Sequence, residues 1–329
     1  MPELAILEQT VLTGLIEKYT APPENVASAL FGRRTHPFTT AKWDVVQNTR
    51  YRGHPTMPNR EAKIVGQQGV GTKTASFIYY REKKAFEPTT LRWLREPGQL
   101  AANNAESCIR RETQDLNNRL ERLVDSYCWD TLKDSIVIDE PDVKATVTMG
   151  IQASHKPTAT VKWDHITSVE YDGDVIGDVK AWKKLIAEDS GNPATDIYLD
   201  STTMEYVYKN KALKALFTER VKQEYLDTGN ITGLLGLNWH VYDGGYVNDS
   251  GTFVPHITLK YIFMLAKAAE TFVLLEGLSA DEDAPANHTG KFSKSWITKD
   301  PSATFFLLEY NFIPVLLHPD NVIYALVLA

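Results

Sequence analysis

The sequence predicts an α+β protein in which one long helix carries mixed sheets while arms of chain reach beyond the body. Three observations carry that expectation. From Asn103 or Asn104 to about Lys133 the apolar residues keep helical spacing, an uninterrupted run of about 28 residues. Two alternating stretches, Lys42–Val46 and Ala75–Tyr80, flank a piece rich in Gly, Arg, Lys and Gln. Three near-continuous apolar runs, Phe305–Leu308, Phe312–Leu317 and Val322–Leu328, close the chain as buried strands.

A length of 329 residues allows two modest domains. With 43% hydrophobic and 23% charged residues the composition is that of an ordinary folded protein. No run approaches the roughly 18 apolar residues of a membrane helix. Met1–Thr10 lacks a basic stretch leading into an apolar core. The two cysteines, Cys108 and Cys128, fall on the same expected helix, about 30 Å apart along its axis. A disulfide spans no more than about 7 Å between alpha carbons, so the pair points to a reducing compartment instead.

Taken in order, Glu3–Tyr19 reads as an amphipathic helix through Leu4, Leu7, Val11, Leu15 and Ile16, ended by Ala21-Pro22-Pro23. Residues 43–86 read as a long two-stranded excursion. Each half of about 15 to 20 residues would reach some 50 to 65 Å at about 3.3 Å per residue. Two strands alone are marginal in water, so such a loop calls for a neighbouring molecule to lie on. After a connector, Pro88–Pro97, comes the long helix, with Leu116, Leu120, Leu123 and Tyr127 as its expected apolar stripe and Arg110, Arg111, Arg119, Glu121 and Arg122 mostly on other faces. Strands are expected at Ser135–Ile138, Val143–Gly150 and Thr158–Trp163. Helices are expected at Asp178–Ala187, at Thr203–Lys209 capped by Ser201 or Thr202, and at Lys211–Tyr225. Asp196–Leu199 and Phe272–Leu275 read as strands, Asn248–Gly251 as a hairpin turn, and Asp281–Pro285 as an exposed acidic loop.

The net charge of −7 conceals an asymmetry. Between Leu30 and Arg111 stand 15 Lys and Arg against 6 Asp and Glu, a balance of +9 that leaves −16 for the remainder. A basic stretch suits nucleic acid, but it equally suits an arm lying on the acidic body of another copy, or a merely solvated charged face. The candidate contacts are Arg33, Arg34, Pro37, Phe38, Trp43, Arg50, Arg52, Arg60, Lys63, Lys73, Arg81, Lys83 and Lys84.

Chemistry finds little footing. Gly66–Thr74 is the nearest approach to a phosphate loop, yet Thr72 stands where Lys is required, and Ala75–Tyr80 reads as strand where a helix should open. The eight histidines include no pair at helical metal spacing. Asp172, Asp174 and Asp178 lack the twelve-residue calcium pattern and its closing Glu. There is no Gly-x-Ser-x-Gly elbow, and neither cysteine has a nearby His. Neither enzyme, cofactor nor metal is expected.

Four collinear stretches carry a family resemblance. Phe31-Gly32-Arg33-Arg34-Thr35-His36-Pro37-Phe38-Thr39-Thr40-Ala41-Lys42 resembles the entry segment of lambda-type major capsid proteins, the capsid protein E family of tailed bacteriophages. Thr90–Arg95 resembles the connector into that family's spine helix, and Val241–Asn248 its upper-domain hairpin. Trp296–Pro301 with Pro314–Asp320 is similar to its carboxy-terminal end. The resemblance implies the tailed-phage capsid fold of the Hong Kong ninety-seven type. Its expected parts are an N-terminal arm (1–42), an extended loop (43–86), a peripheral domain (87–176) with the spine helix at about 104–133, an axial domain (177–296), and returning C-terminal strands (297–329).

It further implies self-assembly in pentamers and hexamers into an icosahedral head around double-stranded DNA. The chain would be made in the host cytoplasm and end in the virion. Scaffolding, portal and decoration proteins are implied as partners, with no membrane and no specific DNA binding. The self-crosslinking of some relatives has no motif-matched Lys and Asn here, and no long heptad extension precedes the arm, which leaves scaffolding to a separate protein. The alternatives are a nucleic-acid-binding protein using residues 30–111, or another phage structural protein such as a tail-tube subunit.

Overall fold

The computed structural model describes residues 9–19, 22, 25–46, 52–53, 55, 57–58, 60–61, 64, 70–86, 105–140, 143–167, 170–229, 231–268, 270–300 and 302–329. Its first elements are α1 (Gln9–Glu17), β1 (Gly32–Thr35), β2 (Thr40–Val46), β3 (Val70–Ser76), β4 (Ile78–Phe86) and α2 (Ala105–Leu132). Then follow β5 (Ser135–Asp139), β6 (Lys144–Thr148), β7 (Ile166–Thr167), β8 (Glu170–Tyr171), α3 (Val175–Asp189) and β9 (Asp196–Leu199). Next come α4 (Ser201–Lys209), α5 (Lys211–Leu216), α6 (Glu219–Thr228), β10 (Ile231–Leu234), β11 (Leu237–Val241), β12 (Gly245–Val247) and β13 (Phe253–Pro255). The last are β14 (Tyr261–Leu265), β15 (Phe272–Glu276), β16 (Phe292–Lys299), β17 (Ser302–Leu316) and β18 (Val322–Leu326). Two compact units result: residues 1–42, 74–128 and 273–315 form the first, and residues 43–73, 129–272 and 316–329 the second.

The first unit is organised by β17. Its sheet runs β1-β15-β17-β16, with β4 also paired to β17. β4 and β16 are both antiparallel to β17, from Phe312↔Ile78 to Thr304↔Phe86 and from Glu309↔Phe292 to Ser302↔Lys299. From Phe306 onward every residue of β17 is buried. The sequence suggests two strands here because Glu309 and Asn311 interrupt the apolar run. In the fold both stay in one strand because Glu309 and the Asn311 side-chain N–H find partners. Glu309 accepts hydrogen bonds from the Tyr79 hydroxyl, the Ser279 hydroxyl and the Ala280 amide, each 2.8 Å long, and the Asn311 amide donates to the Leu278 carbonyl at 2.5 Å.

α2 spans nearly the residues expected of the long helix and contains both cysteines. Its buried stripe differs from the expected one. It passes through Ile109, Leu116, Leu120, Val124 and Cys128, whereas Leu123 and Tyr127 are only half-buried. Beside it runs a buried polar row at steps of four: Thr113, Asn117, Glu121 and Asp125. Glu121 therefore lies inside rather than on an outer face. Asp125 accepts the Ser28 amide at 2.7 Å.

The second unit is built on the sheet β10-β11-β9-β14-β18. β9 and β11 are parallel, and β14 is antiparallel to both β9 and β18. α3 covers it with Val175, Val179, Trp182 and Ile186, a helical stripe, and Asp174 caps it by accepting the Gly177 amide at 2.9 Å. The Trp182 and Trp239 rings both pack against that of Trp163, with centroids at 6.0 and 6.5 Å. Gly173 permits this arrangement, since a Cβ there would lie 2.5 Å from the Lys162 carbonyl oxygen and 2.6 Å from the Trp163 Cα.

Several local expectations change. Asp200, not Ser201 or Thr202, caps α4, accepting the Thr203 amide at 3.1 Å. The helix expected over 211–225 breaks into α5 and α6 because Phe217 adopts an extended conformation and turns its ring onto Tyr208, centroids 5.7 Å apart. Thr158–Trp163 forms no ladder, only a bridge from Thr158 to Leu326 and amide bonds from Ala159 and Trp163. The expected Asn248–Gly251 turn does join β12 to β13, with the Asn248 side chain accepting the Thr252 amide at 2.8 Å.

Candidate assembly surfaces

β2 and β3 pair with each other in a two-stranded sheet of their own. The strand identity of Val70–Ser76 removes the helix that a phosphate loop would need. Trp43 is buried, and its indole N–H meets no acceptor among the described residues. The Thr72 hydroxyl donates to Asp44 across the ribbon at 2.7 Å. Lys73 donates to the Thr148 carbonyl at 3.1 Å, fastening the ribbon's base to the end of β6. Burial weakens the hold of this ammonium on its proton, opposed by the nearby Asp134 charge. Arg52, Arg60, Met57 and Ile64 are exposed, Ile64 at 94%. Arg50 and Lys63 lie outside the described residues.

The entry segment is placed by β1, which runs parallel to β15 with Arg33 opposite Leu274. Arg33 is committed inward, 3.4 Å from Glu121 and 3.6 Å from Glu276. Arg34 and Pro37 are exposed, and Phe38 is 64% exposed with its ring edge 5.5 Å from His36.

On β4 the basic residues are largely spoken for within the first unit. Arg81 pairs with Asp281 at 2.7 Å, and Lys294 joins the same carboxylate at 2.7 Å. Asp281 is accordingly buried, although Glu282, Asp283 and Pro285 of the same loop are exposed as expected. Those two cations hold the Asp281 carboxyl below the ordinary aspartate range, although burial, the largest influence, pushes the other way. Lys84 bridges Glu112 and Asp115 of α2 at 2.7 and 2.5 Å, Arg119 meets Glu82 at 3.0 Å, and Lys83 lies over the Phe305 ring at 5.1 Å. Burial, with Glu309 beside it, pushes the Tyr79 phenol up to about 12.

The second unit offers surface that the sequence reading did not select. On the β12–β13 hairpin Val247 and Phe253 are 64% and 54% exposed, and Leu216 and Leu226 stand out on α5 and α6. Their signal was present as apolar residues flanking a strong turn. Alternation alone cannot say whether the face so formed is covered. Elsewhere carboxylates have structural duties: Asp178 accepts the Trp163 indole at 3.0 Å and Asp172 meets His165 at 2.6 Å. Among the described residues no group of His, Cys, Asp and Glu is arranged to hold a metal ion, and no helix is long and apolar enough to cross a membrane.

The family model described as phage major capsid protein E matches residues 8–327. Among solved structures, the putative capsid protein of a prophage of E. coli CFT073 superposes with a TM-score of 0.70 at 14% identity, covering 97% of this chain and 98% of that one. A phage-related protein from Bordetella bronchiseptica RB50 gives 0.53 at 10% identity and 96% of each chain. The capsid of cyanophage P-SCSP1u gives 0.51 at 9% identity, over 90% of this chain and 86% of that one. At such identities these likenesses establish the shared fold. No curated protein sequence matches the chain.

Proposed function

The chain belongs to the phage major capsid protein E family, whose members build phage head shells, and from that premise we propose that copies of it close into pentamers and hexamers through the β2–β3 loop. In this reading residues 1–42 are an arm tying one neighbour, and residues 43–86 a loop lying over a second. Residues 87–176 form the peripheral domain around α2, residues 177–296 the axial domain, and residues 297–329 its returning strands. Of the candidate contacts on the arm and loop, the exposed Arg34, Pro37, Phe38, Arg52 and Arg60 are the ones that would face those neighbours. The assembled shell sits in the virion and encloses DNA without base recognition, and scaffolding, portal and decoration proteins are its further partners. The chain acts as a building block and not as an enzyme, and it is made in the host cytoplasm.

The supporting observation is the ribbon itself. Among the described residues β2 and β3 have no third strand, and a lone two-stranded ribbon is marginally stable in water. Several modest contacts per subunit then act together, each raising the effective concentration for the next. Deleting residues 47–74 from the full chain tests this. The expected result is a folded, unassembled protein, seen by circular dichroism and negative-stain microscopy; closed particles of normal size would refute it. A nucleic-acid reading is disfavoured by the intrachain carboxylate partners of Arg33, Arg81 and Lys84.

A further inference from the structure

Lys73 of β3 and the β5–β6 hairpin belong to the same compact unit, and they meet at a seat cut to the size of one ammonium. Gly150, just past β6, has a φ of +85°, a conformation that favours glycine. A Cβ at this position would lie 2.5 Å from the Lys73 Nζ and 3.5 Å from its Cε. The lysine head therefore fills the space that any other side chain at position 150 would take. From there Nζ donates to the carbonyl of Thr148, the last residue of β6, at 3.1 Å.

Asp134 builds this seat from below. Its own φ of +93° is uncommon for a residue with a side chain. Backbone held in such a region marks a place that its surroundings over-determine. One carboxylate oxygen of Asp134 accepts the Gly150 and Ile151 amides at 2.6 and 2.7 Å, and the other takes the Lys156 ammonium at 2.5 Å. The Asp134 carbonyl accepts the Met149 amide at 2.7 Å. Three consecutive amides, 149 to 151, are thus held by one residue at the root of the hairpin, where Ser135 pairs with Thr148. The charge of Asp134 also attracts the Lys73 ammonium.

We propose that Lys73 is the positioning residue of the β2–β3 ribbon, its ammonium seated on Gly150 so that the loop is aimed before it meets a neighbour. The aim has a use only if the loop binds a second copy, so this consequence rests on the function proposed above. The seat itself does not. A ribbon of two strands is marginal alone, and one already held in direction loses less freedom when it docks. A charge-assisted bond to a carbonyl in a fixed place supplies that direction.

Hydrogen–deuterium exchange of the unassembled full chain, read by mass spectrometry, tests the seat. Lys73→Met keeps the aliphatic stem and removes the donor. Amides of residues 70–76 should then exchange roughly tenfold faster, while those of β9 and α3 and the urea midpoint stay as in wild type. Gly150→Ala should have the same local effect by displacing the ammonium. Combined with Lys73→Met it should add little, because both changes break one contact. Unchanged exchange at 70–76 in Lys73→Met overturns the seat, and so do two effects that multiply in the double variant. Should Gly150→Ala not fold, Lys73→Met decides alone. Negative-stain microscopy then separates the aim from the loop's role. Wild type closing uniformly while Lys73→Met gives particles of mixed size supports the proposal. Lys73→Met particles as uniform as wild type overturn the positioning role and leave the loop reading standing. Wild type forming no particles overturns the loop reading, and the aim with it.

Discussion

His256 makes the fold sensitive to acid in a way that can be measured. Its ring is 5% exposed, lies among Trp129, Tyr242 and Tyr246 at centroid distances of 6.5, 6.2 and 5.8 Å, and its backbone amide is fixed to the Gly244 carbonyl at 3.0 Å. Burial, with the Lys133 charge adding to it, lowers its pKa from 6.5 to about 4. The folded chain therefore refuses a proton that the unfolded chain accepts. Stability from this residue is complete above about pH 6.5 and drains away as pH falls toward 4. That lowering, at about 1.4 kcal/mol per pH unit, sets a ceiling of about 3 kcal/mol. At about pH 4.5, near the bottom of that interval, the loss should be about 2 to 3 kcal/mol.

The assay is urea unfolding of the unassembled full chain, followed by tryptophan fluorescence, for wild type and His256→Phe at about pH 7 and about pH 4.5. Phenylalanine keeps the ring among its aromatic neighbours and removes the titration. Comparing the two pH dependences cancels the acid response of every other group. Wild type should lose about 2 to 3 kcal/mol more than the variant on acidification. Profiles that stay parallel within about 0.5 kcal/mol would refute the reasoning, because they would mean that the ring accepts its proton equally well folded and unfolded.

Three further outcomes follow from the packing of Glu309, Gly173 and the β12–β13 hairpin. Glu309→Leu strips an acceptor from the Ser279 hydroxyl, the Ala280 amide and the Tyr79 hydroxyl; it should cost about 3 kcal/mol in denaturant unfolding, and ultraviolet titration should show the Tyr79 phenol falling back from about 12. Gly173→Ala drives a methyl into the backbone at Lys162 and Trp163, and calorimetry should show the melting temperature falling by about 5 °C or more. Val247→Glu combined with Phe253→Glu alters side chains that are 64% and 54% exposed, so unfolding should shift by no more than about 0.5 kcal/mol, while light scattering finds no large particles.

What the sequence discloses depends on how local the cause is. α2 is legible because its apolar spacing persists over 28 residues, and the β12–β13 turn because Asn248 and Gly251 make it by themselves. β14, Tyr-Ile-Phe-Met-Leu, is an apolar run that periodicity cannot assign to strand or helix. β17 looked like two strands because the partners of Glu309, namely Tyr79, Ser279 and Ala280, come from distant sequence. Phe217 breaks a helix for a ring contact with Tyr208 that no propensity encodes. Lys73 and Thr148 are 75 residues apart, so no spacing rule brings them together.

The same separation of local from distant causes decides how the basic stretch should be read. Counted along the chain, residues 30–111 carry +9, which suggests a surface seeking phosphate. In the fold Arg33 faces Glu121 and Glu276, Arg81 faces Asp281, Lys84 faces Glu112 and Asp115, and Lys73 is turned onto a backbone carbonyl. Glu112, Asp115, Glu121, Glu276 and Asp281 all lie outside that interval, so the linear count could not include them. Most of these cations are half-exposed, and such pairs add only about 0 to 1 kcal/mol each. Their larger effect is to cancel the field that would attract nucleic acid. What remains free to act between molecules is apolar and extended: Phe38, Met57 and Ile64 along the arm and loop, and Val247 and Phe253 on the hairpin. Contacts of that kind are not screened by salt, so particles once closed should withstand molar salt, whereas a shell held by the basic residues would come apart under it.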